Sequence, residues 1–211
     1  VIKFPPIENL RLDDDLIFIG GELNTENLLA AYSSGYFPMP IENSIGWFSP
    51  QKRGVLILEK FNASTSLKKS LKKFTTTVNK DFQRVVYECA NPDRPYGWIN
   101  QNIFDAYTDL HEQGWAHSVE VWQGTDIVGG VYGIAIDGLF AGESMFHTQT
   151  DASKVALLTL VEQLKLSAGP TFMDVQWLTP HLKSLGCEEI SRPEYSELLS
   201  EHVKVQNRLR L

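Results

Sequence analysis

Three stretches, AHSVEVW (residues 116–122), IVGGVYGIAI (127–136) and LFAGESMF (139–146), decide how the rest of the chain folds. From His117 to Val121 polar and apolar side chains alternate, the period of a half-buried strand. Gln123-Gly124 and Asp137-Gly138 separate the three stretches, and Asp-Gly between two apolar runs is a strong hairpin signal. Three consecutive antiparallel strands are therefore expected. Gly129-Gly130 inside the second implies a bulge or a close backbone approach. Toward the C-terminus, Asp151 is placed to cap a long helix (152–166) with Val155, Leu158 and either Val161 or Glu162 on its inner stripe. A strand (171–176), a short helix (180–185) stopped by Gly186, a strand (187–191) and a helix opened by Pro193 follow. Toward the N-terminus, Asn24 or Thr25 can cap a helix carrying Leu28, Leu29 and Tyr32, with Gly35 as its stop. Phe37-Pro38-Met39-Pro40 can be neither regular helix nor central strand, because two prolines remove donors. A strand at 55–58 comes next, then a helix from Ser64 or Ser66 with Leu67, Leu71 and Phe74 on one face. Lys68, Lys69, Lys72 and Lys73 flank that stripe and turn outward. A strand (75–78), a helix (81–90), a loop (93–98) with Pro95 and Gly97, and a helix (102–113) closed by Gly114 complete the pattern. The expected class is α+β: layers around a mixed sheet in residues 61–211, with a smaller N-terminal α/β region in residues 1–60.

The element order resembles the core of the GCN5-related N-acetyltransferase fold, an analogy that assigns no chemistry by itself. Of 211 residues, 43% are apolar and 21% charged, the balance of a globular chain. No apolar run approaches the ~18 residues of a membrane span, and residues 1–10 lack a charged-then-apolar leader pattern. Cys89 and Cys187 form no CxxC, which fits free, buried thiols in a reducing compartment. A cytoplasmic monomer with no membrane association is expected. Net charge is −7, yet residues 52–84 hold Lys52, Arg53, Lys60, the four lysines 68, 69, 72 and 73, Lys80 and Arg84 against Glu59 and Asp81 alone. Such a run is either a solvated helix face or a local field for nucleic-acid phosphates.

Glu143 falls in an apolar strand between Phe140 and Phe146, where a carboxylate is expensive unless it meets a cation or donors. Its alternative is a strand end facing solvent. Asp174 and Gln176 lie two apart and so share a face of one strand. They read either as a hydrogen-bonded structural pair or as a carboxylate that orients an amide or binds a cationic group. His117 and Glu120 have opposite parity, and His117 reads as a structural hydrogen-bonder. No GxGxxG, P-loop, HExxH or EF-hand spacing occurs, so no metal and no cofactor is expected. Ser49 and Ser144 lie outside any GxSxG setting. Trp98, in a Pro/Gly loop, suits stacking on a base; Trp47, Phe48 and Trp115 suit the core.

A series of segments, in order along the chain, carries a resemblance. It comprises Phe4-Pro5-Pro6, Gly20-Gly21-Glu22-Leu23, Gly35-Tyr36-Phe37-Pro38, Trp47-Phe48-Ser49-Pro50 and Gly97-Trp98-Ile99. It continues with the segment at 116–122, Gly129-Gly130-Val131-Tyr132-Gly133, Gly142-Glu143-Ser144-Met145-Phe146, Asp174-Val175-Gln176 and His181-Leu182. The chain resembles the leucyl/phenylalanyl-tRNA–protein transferase family from about residue 4 to about residue 195. The resemblance implies transfer of Leu or Phe, and Met, from aminoacyl-tRNA to the α-amino group of proteins beginning with Arg or Lys, which marks them for degradation. It implies that Glu143 and Asp174 receive the acceptor N-terminus, and that Asp174 hydrogen-bonds Gln176, which engages the attacking amine. Phe140, Val131, Met145 and Phe172 would line the pocket for the donor side chain. Trp98 and Met39 would meet the tRNA 3′-adenosine, and Lys68, Lys69, Lys72 and Lys73 its phosphates.

Many members carry Trp where this chain has Met39, a softer surface for adenine. Trp47-Phe48 stands for a common Trp-Trp pair, and Val131 for a frequent Met. Two rival enzymes share these elements. An acyl-CoA N-acyltransferase would need a glycine-rich turn entering the helix at 152, to supply backbone donors to pyrophosphate, and residues 147–151 contain no glycine. A relative with another donor or acceptor differs only in which groups it seats.

Overall fold

The computed structural model describes residues 1–11, 14–92, 98–167, 169–204, 207–209 and 211; most of the loop read at 93–98 lies outside them. The chain runs β1 (Leu16–Ile19), α1 (Thr25–Ser33), β2 (Phe37–Ile41), β3 (Ser44–Phe48), β4 (Lys52–Ile57), α2 (Thr65–Leu71), β5 (Thr75–Val78), α3 (Phe82–Cys89) and α4 (Gln101–Glu112). It continues through β6 (Ala116–Gln123), β7 (Asp126–Ile136), β8 (Leu139–His147), α5 (Ala152–Leu166), β9 (Phe172–Gln176), α6 (Pro180–Ser184), β10 (Glu188–Ser191) and α7 (Arg192–His202).

Two sheets form. The small one is antiparallel in the order β1-β3-β2, so the proline-bearing β2 takes an edge, where a missing N–H leaves no ladder bond unmade. The large sheet runs β10-β4-β9-β8-β7-β6-β5, antiparallel except for the parallel pair β8–β9. The three strands read at 116–146 are its centre. Asp137, at φ 46°, turns the β7–β8 hairpin together with Gly138, as an Asp-Gly turn requires. Gly129 serves close approach: a Cβ there would stand 2.7 Å from the Cβ of Ala152, so its bare backbone lets the start of α5 lie on β7. The expected division at residue 60 falls after β4, which is itself an interior strand of the large sheet.

Cores fill both faces. One holds Leu139, Ala141, Ile134, Tyr132 and Phe172 against α1, α3, α4 and α7. The other holds Phe140, Val131, Ala135 and Met173 against α5, with Leu67 of α2. Cys89 and Cys187 are both buried, as expected. Among the described residues no helix is long and apolar enough to cross a membrane.

Two local readings change. Asp151 occupies the N-cap position of α5 in the left-handed region (φ 69°) and makes no side-chain cap bond. That backbone turns its carboxylate toward α2, where Ser70 Oγ donates to it (2.9 Å), and Lys154 Nζ of α5 itself donates to its other oxygen (3.1 Å). The lysine helix is capped by Ser64, whose side chain accepts from the Leu67 N–H, but it ends at Leu71. Lys72 and Lys73 therefore lie past it.

Candidate active site

β8 and β9 pair only at Leu139↔Phe172, Phe140↔Met173 and Ala141↔Asp174. Glu143 and Gln176 stand just beyond the last pair, on either strand. Opposite β7, Ser144 pairs with Tyr132 and Gly142 with Gly133, so Glu143 is the extra residue of a β-bulge. A bulge re-aims one side chain and shifts the alternation after it. It keeps Glu143 on the α1/α4 face while Met145 packs on the α5 face with Phe140.

The Glu143 carboxyl is half-buried and clamped by two tyrosines: Tyr32 Oη of α1 donates to Oε1 (2.7 Å) and Tyr107 Oη of α4 to Oε2 (3.0 Å). The two phenol oxygens also lie within hydrogen-bonding distance of each other, a third contact that is filled only when Glu143 carries a proton of its own and donates it to one of them. Burial pushes Glu143 up to about 7, and the neighbouring Asp174 charge adds to this, while both tyrosine bonds and Arg53 pull the other way. Burial foremost, and then the Glu143 charge, hold both phenols well above their usual range, so they stay neutral donors.

Asp174 is closed off differently. It is fully buried, and Arg53 of β4 grips it with Nε to Oδ1 (2.9 Å) and Nη2 to Oδ2 (2.7 Å). Tyr195 Oη of α7 donates to Oδ2 (2.7 Å), and the Gln176 backbone N–H donates to Oδ1 (2.9 Å). The guanidinium lies between the rings of Phe37 (4.7 Å) and Tyr195 (4.5 Å). Burial works to lower the arginine's proton affinity, but Asp174 and Tyr195 more than offset it and fix the positive charge. The bond expected between Asp174 and Gln176 thus reaches the backbone of Gln176. That residue adopts φ 56°, which leaves its carboxamide to point elsewhere, and the side-chain Nε2 is buried without a partner.

A cavity of about 310 Å³ lies over the end of β8–β9, lined by Phe37, Pro38, Met39, Trp98, Glu143, Gln176 and Trp177. It brings together four of the expected residues: Glu143, Gln176, Met39 and Trp98. Asp174 stands behind Gln176 and does not line it. Phe140 and Val131 are buried on the α5 face with Met145 beside them, and Phe172 packs on the other face against Tyr195 (6.5 Å). None of these four lines the cavity. The four lysines are exposed on or just after α2, against α5. Part of the basic run is neutralised: Lys52 meets Glu189 (3.1 Å), Lys60 meets Glu188 (2.6 Å) and Arg84 meets Glu88 (2.7 Å), while Arg53 is interior. A larger cleft of about 560 Å³, whose lining includes Glu22, Glu42, Asp105 and Asp109, holds none of the expected site residues.

Sequence reasoning missed Arg53, Tyr32, Tyr107, Tyr195 and Trp177. Arg53 was hidden within a basic run, and the tyrosines fit apolar helix stripes. The signal for Trp177 was its place directly after Gln176.

Among the described residues lining the cavity there is no serine or cysteine nucleophile, only a carboxyl and a carboxamide. The site is thus an aromatic cavity with a carboxyl and a carboxamide in its lining, set on a mixed α+β fold. A family model described as leucyl/phenylalanyl-tRNA protein transferase matches residues 55–200, and a second, for the N-terminal domain of that transferase, matches residues 21–51. The leucyl/phenylalanyl-tRNA–protein transferase of Pseudoalteromonas atlantica is 44% identical over 96% of this chain and 89% of its own length. The protein of that name from Legionella pneumophila strain Corby is 48% identical over 90% of this chain and 86% of its own length. This chain belongs to the leucyl/phenylalanyl-tRNA–protein transferase family. Among solved structures, FemX aligns with a TM-score of 0.48 at 12% identity, covering 83% of this chain and 71% of that one.

If Glu143 must ionise to hold a basic acceptor, kcat/KM for the acceptor rises with pH through about 7, where its carboxyl titrates. The acceptor amine also titrates near 8, so the ratio of wild type to Glu143→Gln isolates the carboxyl. That ratio is expected to fall about tenfold from pH 8 to pH 6. A flat ratio would remove Glu143 from acceptor binding.

Proposed function

We propose that this protein transfers Leu or Phe, and Met, from aminoacyl-tRNA to the α-amino group of proteins beginning with Arg or Lys, and that the product is thereby marked for degradation. The observation that carries the reading is a clamped, half-buried carboxyl and a free carboxamide on the lips of one aromatic cavity. An aminoacyl ester is already activated, so holding an amine against it supplies much of the rate. The amine nitrogen forms a bond to the ester carbonyl carbon, the carbon–oxygen ester bond breaks, and the ribose oxygen leaves with a proton. Glu143 draws the cationic acceptor end, and the Gln176 carboxamide positions the attacking amine. Asp174 acts through Gln176 by fixing its backbone. The donor side chain enters between β8 and β9 where pairing ends, toward Phe140, Val131 and Met145, with Phe172 closing the far side of the sheet. Such a pocket separates similar apolar side chains by only ~1–3 kcal/mol, in keeping with Leu, Phe and Met together. The parallel β8–β9 pair that parts over the site is the support for an acetyltransferase-like core.

The test is transfer of labelled Leu from leucyl-tRNA to peptides beginning with Arg, Lys, Asp or Ala. Product with Arg and Lys peptides alone is expected; none with either sinks the reading. The tRNA contact has its own test. Replacing the four lysines 68, 69, 72 and 73 by Ala is expected to flatten the log–log salt slope of tRNA affinity by about 1 per lysine that meets a phosphate. An unchanged slope would make that face a solvated one.

A further inference from the structure

Trp177 is 41% exposed, a rare state for so large an apolar ring, and it lines the cavity rather than the core. Its plane is set from one side: it stands perpendicular to Phe37 (5.1 Å, 89°) and steeply inclined to Phe48 (6.2 Å, 72°). Those two rings are themselves stacked (6.0 Å, 20°). The chain reaches it through Gln176 at φ 56°, so strand end, carboxamide and indole are held as one unit by the bond to Asp174. The polar lining of the cavity is Glu143 and Gln176; its flat lining is Trp177, Trp98 and the half-buried Met39.

We infer that Trp177 is a binding residue for the donor, the indole on which the terminal base of the aminoacyl-tRNA stacks. This rests on the function proposed above. The reacting ester must lie beside Gln176 and Glu143, and its base is one ribose away, so the base falls within the same small cavity. An exposed indole offers a π-face to any base. The alternative occupant of that face, an acceptor guanidinium, is drawn instead to the Glu143 carboxyl.

The experiment measures donor and acceptor KM separately for leucyl transfer to an Arg peptide, in wild type, Trp177→Leu and Trp177→Phe. Trp177→Leu keeps bulk but loses the aromatic face. Its KM for leucyl-tRNA is expected to rise about tenfold, with acceptor KM within about twofold, while Trp177→Phe stays within about threefold of wild type. A leucyl ester of a ribose lacking its base is expected to be used equally by wild type and Trp177→Leu, whereas leucyl-adenosine separates them. Should Trp177→Leu fail to fold, quenching of wild-type indole fluorescence by leucyl-adenosine, reduced in Trp177→Phe to the share that Trp98 contributes, carries the same information. Unchanged donor KM in Trp177→Leu, a rise confined to the acceptor, or equal discrimination with the base-less donor would each overturn the assignment. Wild type inactive with every donor would instead overturn the proposed function.

Discussion

Arg53→Met is expected to lower the unfolding free energy by about 3–5 kcal/mol, because it leaves Asp174 charged and buried without its cation. At about 2–4 °C per kcal/mol for a chain of this size, Tm falls by roughly 10 °C. The reason is local: both Asp174 oxygens face the interior, and among the described residues Arg53 supplies two of their four donors and the only full positive charge on them. Tyr195 and the Gln176 N–H remain, but neutral donors do not cancel a desolvated charge. The thioether of Met would still fill the slot between Phe37 and Tyr195, so lost packing contributes little. Arg53→Met with Asp174→Leu removes both charges and is expected to recover most of the loss. Urea unfolding of the two variants decides it; a loss under about 1 kcal/mol in the single variant would mean that the pair behaves as though solvated.

Asp174→Asn is the second large effect. It is isosteric, yet it replaces an acceptor-only group with one that carries an N–H₂, which faces an N–H of Arg53 in either orientation and, at the Oδ1 position, the Gln176 N–H as well. The backbone at Gln176 then loses the anchor that holds it at φ 56°. Displacing a positioning group by about 1 Å costs on the order of 10²-fold in rate, so leucyl transfer is expected to fall about 10²-fold with affinity for tRNA within about twofold. Because Asp174 does not line the cavity, the loss belongs in kcat rather than in either KM. Equal losses in transfer and tRNA binding, measured below the variant's melting range, would assign Asp174 to the fold alone.

The sheet was legible where side-chain period and turn chemistry agree: the strands at 116–146, the helix at 152–166 and the strand ending at Gln176 lie where they were read. The small sheet escaped because β1 and β3 are four and five residues long and carry no turn signal of their own. Glu143 and the pair Asp174 and Gln176 were visible as polar groups on apolar strands. What surrounds them was not, because their partners come from far along the chain: Arg53 is 121 residues from Asp174, and Tyr32 is 111 from Glu143. Phe140 and Met145 were grouped with Glu143 on one hairpin. Phe140, three positions before Glu143, takes the opposite face by simple alternation; the bulge at Glu143 sends Met145 to that face as well, and no local pattern announces a single inserted residue.

The order β10-β4-β9 has a consequence for how the protein comes to be active. β4 leaves the ribosome early and must wait unpaired for two partners made at the other end of the chain. Domains fold as they are synthesised, N-terminal parts first, but this half of the sheet cannot. Arg53, Asp174 and Tyr195 meet only after α7 has emerged. A nascent or C-terminally truncated chain therefore holds an unmatched arginine and no positioned carboxamide. Aminoacyl transfer by this protein therefore requires that synthesis has passed α7.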